Sequence, residues 1–280
     1  MELNDTFIPT AGVVGLLPMV TYFLFLVTAY AFLADFIFTL SGRNSVAPEH
    51  RLSRDLTACI AAVAGVSYFL MMSFYRDMLA ELAQLNDPND RQALIRESYN
   101  AIGQYRYMDW AITTPLLLIK TVFTLNMQPR QIWRSLALLL GADLFMILTG
   151  YIGEQQLGFD NEILVAPKLI WGAISTIGYV VIPIILFRYW KQYAQGENIL
   201  PEERRAYRLM ALTTVTFWGV YPIGYILTVT GIDLNWIHIA FSVADIINKV
   251  GVSVLSYLMA KQVLERRVPE AATAPTHLVS

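Results

Sequence analysis

Seven long apolar segments dominate the sequence and limit the folds that are available to it. A helix needs about 20 mostly apolar residues to cross a bilayer. The segments span residues 11–41, 55–79, 99–126, 132–153, 167–190, 208–230 and 236–262. Apolar residues make up 56% of the 280 residues and charged residues only 15%, against about 45–50% and about 25% in an average soluble domain. The sequence therefore predicts an all-α, multi-pass membrane protein.

The connections between these segments are short and polar, as in the stretch 86–88. Short connections favour antiparallel neighbours in one bundle, so we expect residues 1–280 to form a single seven-helix domain. The first segment follows Glu2 and Asp5 rather than basic residues, and it is longer than a signal peptide. We therefore expect it to be retained, and we expect residues 269–280 to form a flexible tail.

Lysine and arginine residues predict the orientation of the bundle, because they are enriched in cytoplasmic loops. With the N-terminus outside, 13 of the 20 basic residues fall on the cytoplasmic side, Arg54 among them, and four, including Lys168, on the outer side. The remaining three lie within the apolar segments. We therefore expect the N-terminus outside and the C-terminus in the cytoplasm.

Charge and cysteine content exclude several classes of function. The net charge of −2 provides no basic surface for nucleic acid. A single cysteine, Cys59, excludes a disulfide framework and a cysteine zinc site, and no metal site is predicted. Because Cys59 lies in an apolar run, we expect a buried, inert thiol. His50 and His238 are expected at loops or interfaces.

Six charged residues inside the apolar segments carry the functional information. They are Arg106, Asp109, Lys120, Asp143, Asp245 and Lys249. A charge at mid-bilayer costs at least a few kcal/mol, so such residues usually face the bundle interior and serve a function. Ion pairs that only hold helices together are the alternative, but six such residues in one chain favour a functional cluster.

Two stripes of these residues complement each other in charge. Asp245 and Lys249 share a helix face because they are four residues apart. A lysine amine in an apolar pocket can condense with an aldehyde, and the protonated imine then needs a counterion. Arg106, Asp109 and Thr113 line a second stripe at spacings of three and four. Two cations would then face two carboxylates, which is the balance that a buried cluster requires.

The motif Arg-Tyr-Met-Asp-Trp-Ala-Ile-Thr-Thr-Pro at 106–115 resembles helix C of the microbial (type 1) rhodopsins. The pair Asp245 and Lys249 resembles their retinal-binding helix G. Segments 218–225, 141–150 and 171–176 resemble helices F, D and E, so that the resemblance covers nearly the whole chain. Within the family, the chain is most similar to the proteorhodopsin and xanthorhodopsin branch of bacterial outward proton pumps.

The resemblance implies a role for each charged residue of the cluster. Lys249 would bind all-trans retinal as a Schiff base, Asp109 would be the primary counterion and proton acceptor, and Asp245 would be the second counterion. Arg106 would gate the outer half, and Thr113 would donate a hydrogen bond to Asp109. The residues expected to wall the chromophore are Trp110, Thr114, Leu117, Met146, Gly150, Ser175, Thr176, Trp218, Tyr221, Pro222 and Tyr225. Leucine at 117 also implies green absorption, whereas Asp143 receives no transport role.

Lys120 occupies the position of the proton donor on the cytoplasmic side. It follows Asp109 by eleven residues, which is about 16 Å along a helix. Most pumps of the family have a carboxyl group there, and the exiguobacterial type has a lysine. Because burial disfavours a charged ammonium group, we expect Lys120 to be neutral at rest and to take up a cytoplasmic proton for return to the Schiff base. The alternative is that Lys120 extends to the inner membrane surface as an anchor.

Three positions depart from related pumps. Ser67 stands where proteorhodopsins usually have a histidine beside the acceptor, so that Asp109 lacks an imidazole partner. Ile237 stands where bacteriorhodopsin has a proton-release glutamate, which makes early proton release doubtful. Gly172 stands where bacteriorhodopsin has a tryptophan, and glycine there opens a window for a carotenoid antenna in xanthorhodopsin-like proteins. Easier helix packing is the alternative reason for this glycine.

The sequence is thus expected to encode a light-driven outward proton pump, a transporter rather than an enzyme, in the bacterial inner membrane. A photosensor that signals through a partner is the main alternative, and chloride or sodium pumping is disfavoured. A receptor or solute carrier without retinal has no use for a lysine one turn after an aspartate at mid-membrane. The resemblance also implies a homo-oligomer in the lipid bilayer, either a trimer or a pentamer, and no nucleic-acid partner.

Overall fold

The computed structural model describes residues 10–125, 129–159, 161–192, 194, 196 and 199–273, and these are almost entirely helical. The long helices are α1 Leu16–Ser41, α2 Arg51–Leu82, α3 Pro88–Phe123, α4 Pro129–Glu154, α5 Val165–Gln192, α6 Pro201–Phe217, α7 Val220–Leu227, α8 Leu234–Asp245 and α9 Val252–Thr273. A single helical turn, Ala11–Val14, precedes α1, and two 3-10 turns, Arg43–Ser45 and Pro48–His50, join α1 to α2. A π-helical turn, Ile246–Gly251, joins α8 to α9.

The helices close into a ring around a common interior. From α1 to α6, each helix packs on the next one in the chain. The ring closes because α8 packs on α1 and α9 packs on α6. Residues from distant parts of the sequence therefore meet inside the bundle, and α3, α7, α8 and the π-helical turn contribute the charged centre of the site described below.

Six helical stretches of the described chain are long and apolar enough to cross a membrane. They are Leu16–Ser41, Pro48–Leu82, Trp133–Glu154, Val165–Gln192, Pro201–Leu227 and Leu234–Arg266. Helix α3 is long enough but less apolar, because it carries Arg106, Asp109 and Lys120 along its length. Large apolar side chains such as Phe23 and Ile177 are exposed on the outside of the bundle, which suits a helical protein surrounded by lipid.

Helix α3 begins at Pro88, well before the predicted residue 99. Asp87 caps this end, because its side chain accepts hydrogen bonds from the backbone N–H groups of Asn89 and Asp90 at 2.7 and 3.3 Å. Proline at the first helical position supports the same start. A prediction based on apolar residues alone could not include this polar first part of the helix.

One prediction about a side chain is wrong, and the surroundings of three others become clear. Cys59 is exposed, because apolar segments of this bundle supply its outer surface as well as its core. Arg54 and Lys168, which the sequence assigned to opposite sides of the membrane, are buried within helices. His50 lies in the 3-10 turn before α2, as predicted for a loop residue, and it is buried 2.9 Å from a carboxylate oxygen of Glu203. Of the predicted tail, residues 274–280 lie outside the described residues, and the backbone before them is helical through Thr273.

Candidate functional site

Lys249 lies at the centre of the bundle interior, in the π-helical turn between α8 and α9. Its side chain is 2% exposed, and its Nζ donates a hydrogen bond to Oδ2 of Asp109 on α3. The same Nζ lies 3.5 Å from Oδ1 of Asp245, four residues earlier in its own segment. The structure therefore places one amine between the two carboxylates that the spacing of charges had singled out. π-helical turns occur often at functional sites because they change the direction of a side chain.

Asp245 is held by two tyrosine hydroxyls. Tyr221 on α7 donates to Oδ1 at 2.6 Å, and Tyr68 on α2 donates to Oδ2 at 2.7 Å. Hydrogen bonds to an ionised carboxylate are among the stronger ones in proteins, so both bonds favour the charged form. Tyr221 was predicted only as part of the chromophore wall, and Tyr68 had no predicted role. Their pairing with Asp245 depends on contacts between helices that no local spacing reveals.

Asp109 has free hydrogen-bonding capacity on its second oxygen. Its Oδ1 and the hydroxyl of Thr113 are both buried, and neither has a hydrogen-bond partner in the described part of the chain. The bond predicted from Thr113 to Asp109 is therefore absent, although the two residues are four apart on α3. Unsatisfied buried polar atoms are rare in native proteins, so a small polar group is expected to occupy this place in the working protein.

Arg106 lies on one side of Lys249, and we call this the Arg106 side. Its guanidinium donates to the hydroxyl of Tyr68 at 3.2 Å and lies 3.9 Å from Asp245. Its Nη2 lies 3.4 Å from Nδ1 of His238. His238 is buried and packs against the rings of Phe25 and other aromatic residues. The prediction that it lies at a loop or interface is therefore wrong, since α8 directs this residue into the interior.

The opposite side of Lys249 is the Lys120 side. Lys120 is completely buried, and its Nζ donates to the carbonyl oxygen of Val252 at 3.4 Å. This position excludes the alternative in which the lysine extends to the membrane surface. Asp35, on α1, is also buried here and accepts a hydrogen bond of 2.6 Å from Ser253. Asp35 was missed by the sequence reasoning, although it carries the same signal as the six charges, a carboxylate within an apolar segment.

An apolar cavity of about 240 Å³ in the bundle interior reaches Lys249. All eleven predicted wall residues line it, and so does Gly172. The rings of Trp110, Tyr221 and Phe241 pack edge to face along it. Thr114, also in the lining, donates to the buried Asp143 at 2.9 Å. The structure thus brings together residues from five helices, α3, α4, α5, α7 and α8, with Trp218 and the Lys249 segment around one apolar cavity.

Two glycines beside the cavity provide room for Tyr225. A Cβ atom on Gly172 would lie 2.6 Å from the ring of Tyr225, and one on Gly153 would overlap its hydroxyl. That hydroxyl donates to the backbone oxygen of Lys168 at 2.7 Å. The Lys168 ammonium lies 2.6 Å from a carboxylate oxygen of Glu154. Close packing of Tyr225 therefore explains the glycine at 172 without a second ligand.

Comparisons with known proteins agree with this geometry. A family model described as bacteriorhodopsin-like protein matches residues 18–263. Bacteriorhodopsin of Halobacterium salinarum is 26% identical over 227 residues, which are 80% of this chain and 77% of the relative.

Two solved structures are similar over most of their length. Exiguobacterium sibiricum rhodopsin is 28% identical with a TM-score of 0.73, covering 89% of this chain and 99% of that one. Xanthorhodopsin, a light-driven ion pump with dual chromophore, is 25% identical with a TM-score of 0.71, covering 90% and 96%. The similarity therefore extends over the whole bundle rather than one segment.

Proposed function

The chain belongs to the bacteriorhodopsin-like family of microbial rhodopsins, and from that premise we propose that it is a light-driven pump that exports protons. One observation supports this most strongly: the Nζ of Lys249 contacts Asp109 and lies 3.5 Å from Asp245, at the end of an apolar cavity. Directional proton transfer requires an amine beside two different carboxylates. One carboxylate must be free to accept the proton of the amine, and the other must stay ionised.

The residues at the site fit retinal, the chromophore that the family implies. Lys249 would hold retinal through an imine bond, and Trp110, Trp218 and Tyr221 line the cavity that would receive the polyene. When bound, retinal supplies light absorption and a light-driven change of shape. The Oδ1 of Asp109 and the hydroxyl of Thr113 have no hydrogen-bond partner among the described residues, so both can bond to a polar group at the loaded site.

The two carboxylates differ in their capacity to receive a proton. Asp245 accepts hydrogen bonds from Tyr68 and Tyr221, and both bonds stabilise its ionised form. Asp109 receives a bond only from Lys249 among the described residues. The proton on the Nζ of Lys249 is therefore expected to move to Asp109, while Asp245 stays charged and keeps Arg106 in place at 3.9 Å.

Lys120 is the proposed donor that returns a proton to the Nζ of Lys249. It is buried without a carboxylate in hydrogen-bond contact, and its Nζ donates only to the carbonyl of Val252 in the described structure. A neutral amine in such a place can take up a proton and pass it on, since neither charged state is fixed by an ion pair.

The remaining parts of the proposal concern topology and assembly. We take α3 as the seventh span, because it packs between α2 and α4 and its charged residues face the interior. The excess of basic residues then assigns the N-terminus to the outside and the Lys120 side to the cytoplasm. A multi-pass protein of a bacterial inner membrane, assembled as a trimer or pentamer, is the proposed state. A carotenoid at Gly172 stays a prediction, which the packing of Tyr225 weakens.

The test is illumination of unbuffered cells that express the chain and are supplied with retinal. We expect light to acidify the medium and a protonophore to abolish the effect. A coloured protein that leaves the pH of the medium unchanged in light would contradict the pump and support a photosensor. If light instead makes the medium alkaline and a protonophore increases this effect, the chain transports another ion and protons follow passively.

A further inference from the structure

A second buried polar cluster lies on the Lys120 side, formed by side chains from four helices. Asp35 on α1 accepts a hydrogen bond from the hydroxyl of Ser253 at 2.6 Å. Lys120 on α3 donates to the backbone oxygen of Val252 at 3.4 Å. Val252 and Ser253 are consecutive residues at the start of α9. The carboxylate and the amine are therefore both anchored to the same helical turn, and they interact electrostatically.

Arg54 on α2 is the third charged member of this cluster. It is buried, interacts electrostatically with Asp35, and lies over the rings of Phe38 and Tyr257 at 4.9 Å from each ring centre. Its Nη2 donates to the carbonyl of Phe38 at 3.0 Å. An arginine side chain stays protonated in proteins. One arginine and one carboxylate balance each other, so a buried cluster of low net charge leaves Lys120 neutral.

The cluster is also placed to serve Lys249. Residues 252 and 253 follow Lys249 by three and four positions, so they lie about one helical turn, or about 5.4 Å, along the same face. Apolar residues such as Leu117, Leu118 and Val122 pack around this region. A proton that enters from the Lys120 side therefore has few polar groups to visit before it reaches Lys249.

We propose that Asp35 is the entry residue of the proton-uptake path and that it supplies the proton to Lys120. The inference rests on the proposed function and extends it by one residue. A proton from cytoplasmic water forms an O–H bond on the carboxylate of Asp35. That bond breaks as an N–H bond forms at the Nζ of Lys120, and Asp35 returns to its charged state beside Arg54. The Nζ of Lys120 then gives a proton to the Nζ of Lys249.

The experiment uses the full-length chain with bound retinal in lipid vesicles and a short light pulse. Visible absorption reports the loss and the return of the proton on the Lys249 nitrogen. We expect Asp35→Asn to slow the return by about 100-fold, a usual effect of removing a proton-transfer group, and to leave the transfer to Asp109 unchanged. A membrane-permeant weak acid should restore the rate, and Asp35→Glu should retain most of it. Asp55→Asn, an exposed carboxylate paired with Arg43, is the matched control.

Several outcomes would overturn the proposal. The first is an unchanged return rate in Asp35→Asn. The second is a slowed return that the weak acid does not restore, because this result indicates a structural role for Asp35. If Asp35→Asn forms no pigment, Ser253→Ala removes the hydroxyl donor instead, and an unchanged return rate there contradicts the proposal. Failure of the proposed function is recognised separately, because the wild-type pigment itself would then move no protons in light, and the Asp35 proposal would fall with it.

Discussion

On the Arg106 side of Lys249, the charged side chains contact polar side chains of other helices, whereas on the Lys120 side the Lys120 amine has no side-chain hydrogen-bond partner among the described residues. Asp245 accepts bonds from two tyrosines, and Arg106 contacts Tyr68 and His238. Lys120 contacts only a backbone carbonyl. In the proposed pump, the first side keeps charges in fixed positions, and on the second side Lys120 stays neutral until it takes up a proton.

The difference follows from what each side must do. A fixed field around the amine of Lys249 lets a proton move to Asp109 without rearrangement of the surroundings. Apolar residues such as Leu118 and Val122, which pack with Val252, limit the return of that proton along the path by which its replacement arrives. The comparison predicts that changes on the Arg106 side affect colour and the first transfer, whereas changes on the Lys120 side affect only the return of the proton.

The largest effect is expected at the centre, where the two sides meet. Lys249→Ala removes the amine that both sides serve, so we expect no visible pigment after addition of retinal and no light-driven transport. Lys261→Ala, at an exposed lysine paired with Glu265, should leave both unchanged. Absorption spectra of the purified variants check this. Retained colour in Lys249→Ala would contradict the assignment of the chromophore site and of both sides around it.

The next effect is expected at the acceptor on α3. Asp109→Asn cannot take up the proton of Lys249, so we expect a coloured protein with an altered absorption band and transport reduced by about 100-fold or more. Vesicle pH under steady light measures the transport. Asp143→Asn, another buried carboxylate near the cavity, is the control and should keep transport. Equal losses in the two variants would mean that Asp109 has no special role.

Lys120→Met is the corresponding change on the Lys120 side. It keeps the length of the side chain and removes the amine, so we expect the return of the proton to slow by about 100-fold while the absorption band and the first transfer stay as in wild type. Flash spectroscopy separates the two steps. A shifted absorption band in this variant would break the comparison, because it would show that the Lys120 side also shapes the field around Lys249.

The sequence alone predicted the helical class and the positions of the apolar segments from strongly apolar runs, and the spacing of charges singled out Asp109, Asp245 and Lys249. The residues that line the cavity were predicted only through the resemblance to the microbial rhodopsins. The sequence did not predict the partners of Asp245 or the Asp35 cluster. Those contacts join α1, α2, α3, α7 and α9, and their formation depends on how the bundle closes. Burial of Arg54, Lys168 and His238 was not predicted for the same reason, since it depends on contacts between helices.

A smaller effect is expected from one hydrogen bond on the Arg106 side. Tyr221→Phe removes one of the two donors to Asp245, and loss of a bond to a charged group costs about 1.5–3 kcal/mol. We expect a lower thermal stability of the pigment and a shifted absorption band. Tyr179→Phe, whose hydroxyl donates to the carbonyl of Val215 at 2.9 Å, removes a bond to a neutral group and should change stability less. The reverse order would indicate that Asp245 is not held by its tyrosines.

The smallest effect tests the packing of the Arg106 side at a pair of glycines that both line the cavity. A Cβ on Gly172 would lie 2.6 Å from the ring of Tyr225, whereas one on Gly103 would have no neighbour within 4 Å. Alanine favours a helix over glycine by up to about 1 kcal/mol, so Gly103→Ala should be neutral or stabilising. Gly172→Ala should instead lose about 1–3 kcal/mol through overpacking. Thermal bleaching of the two pigments measures the difference. Equal stabilities would mean that Tyr225 moves aside easily, and the room beside Gly172 would then be open to a second ligand such as a carotenoid.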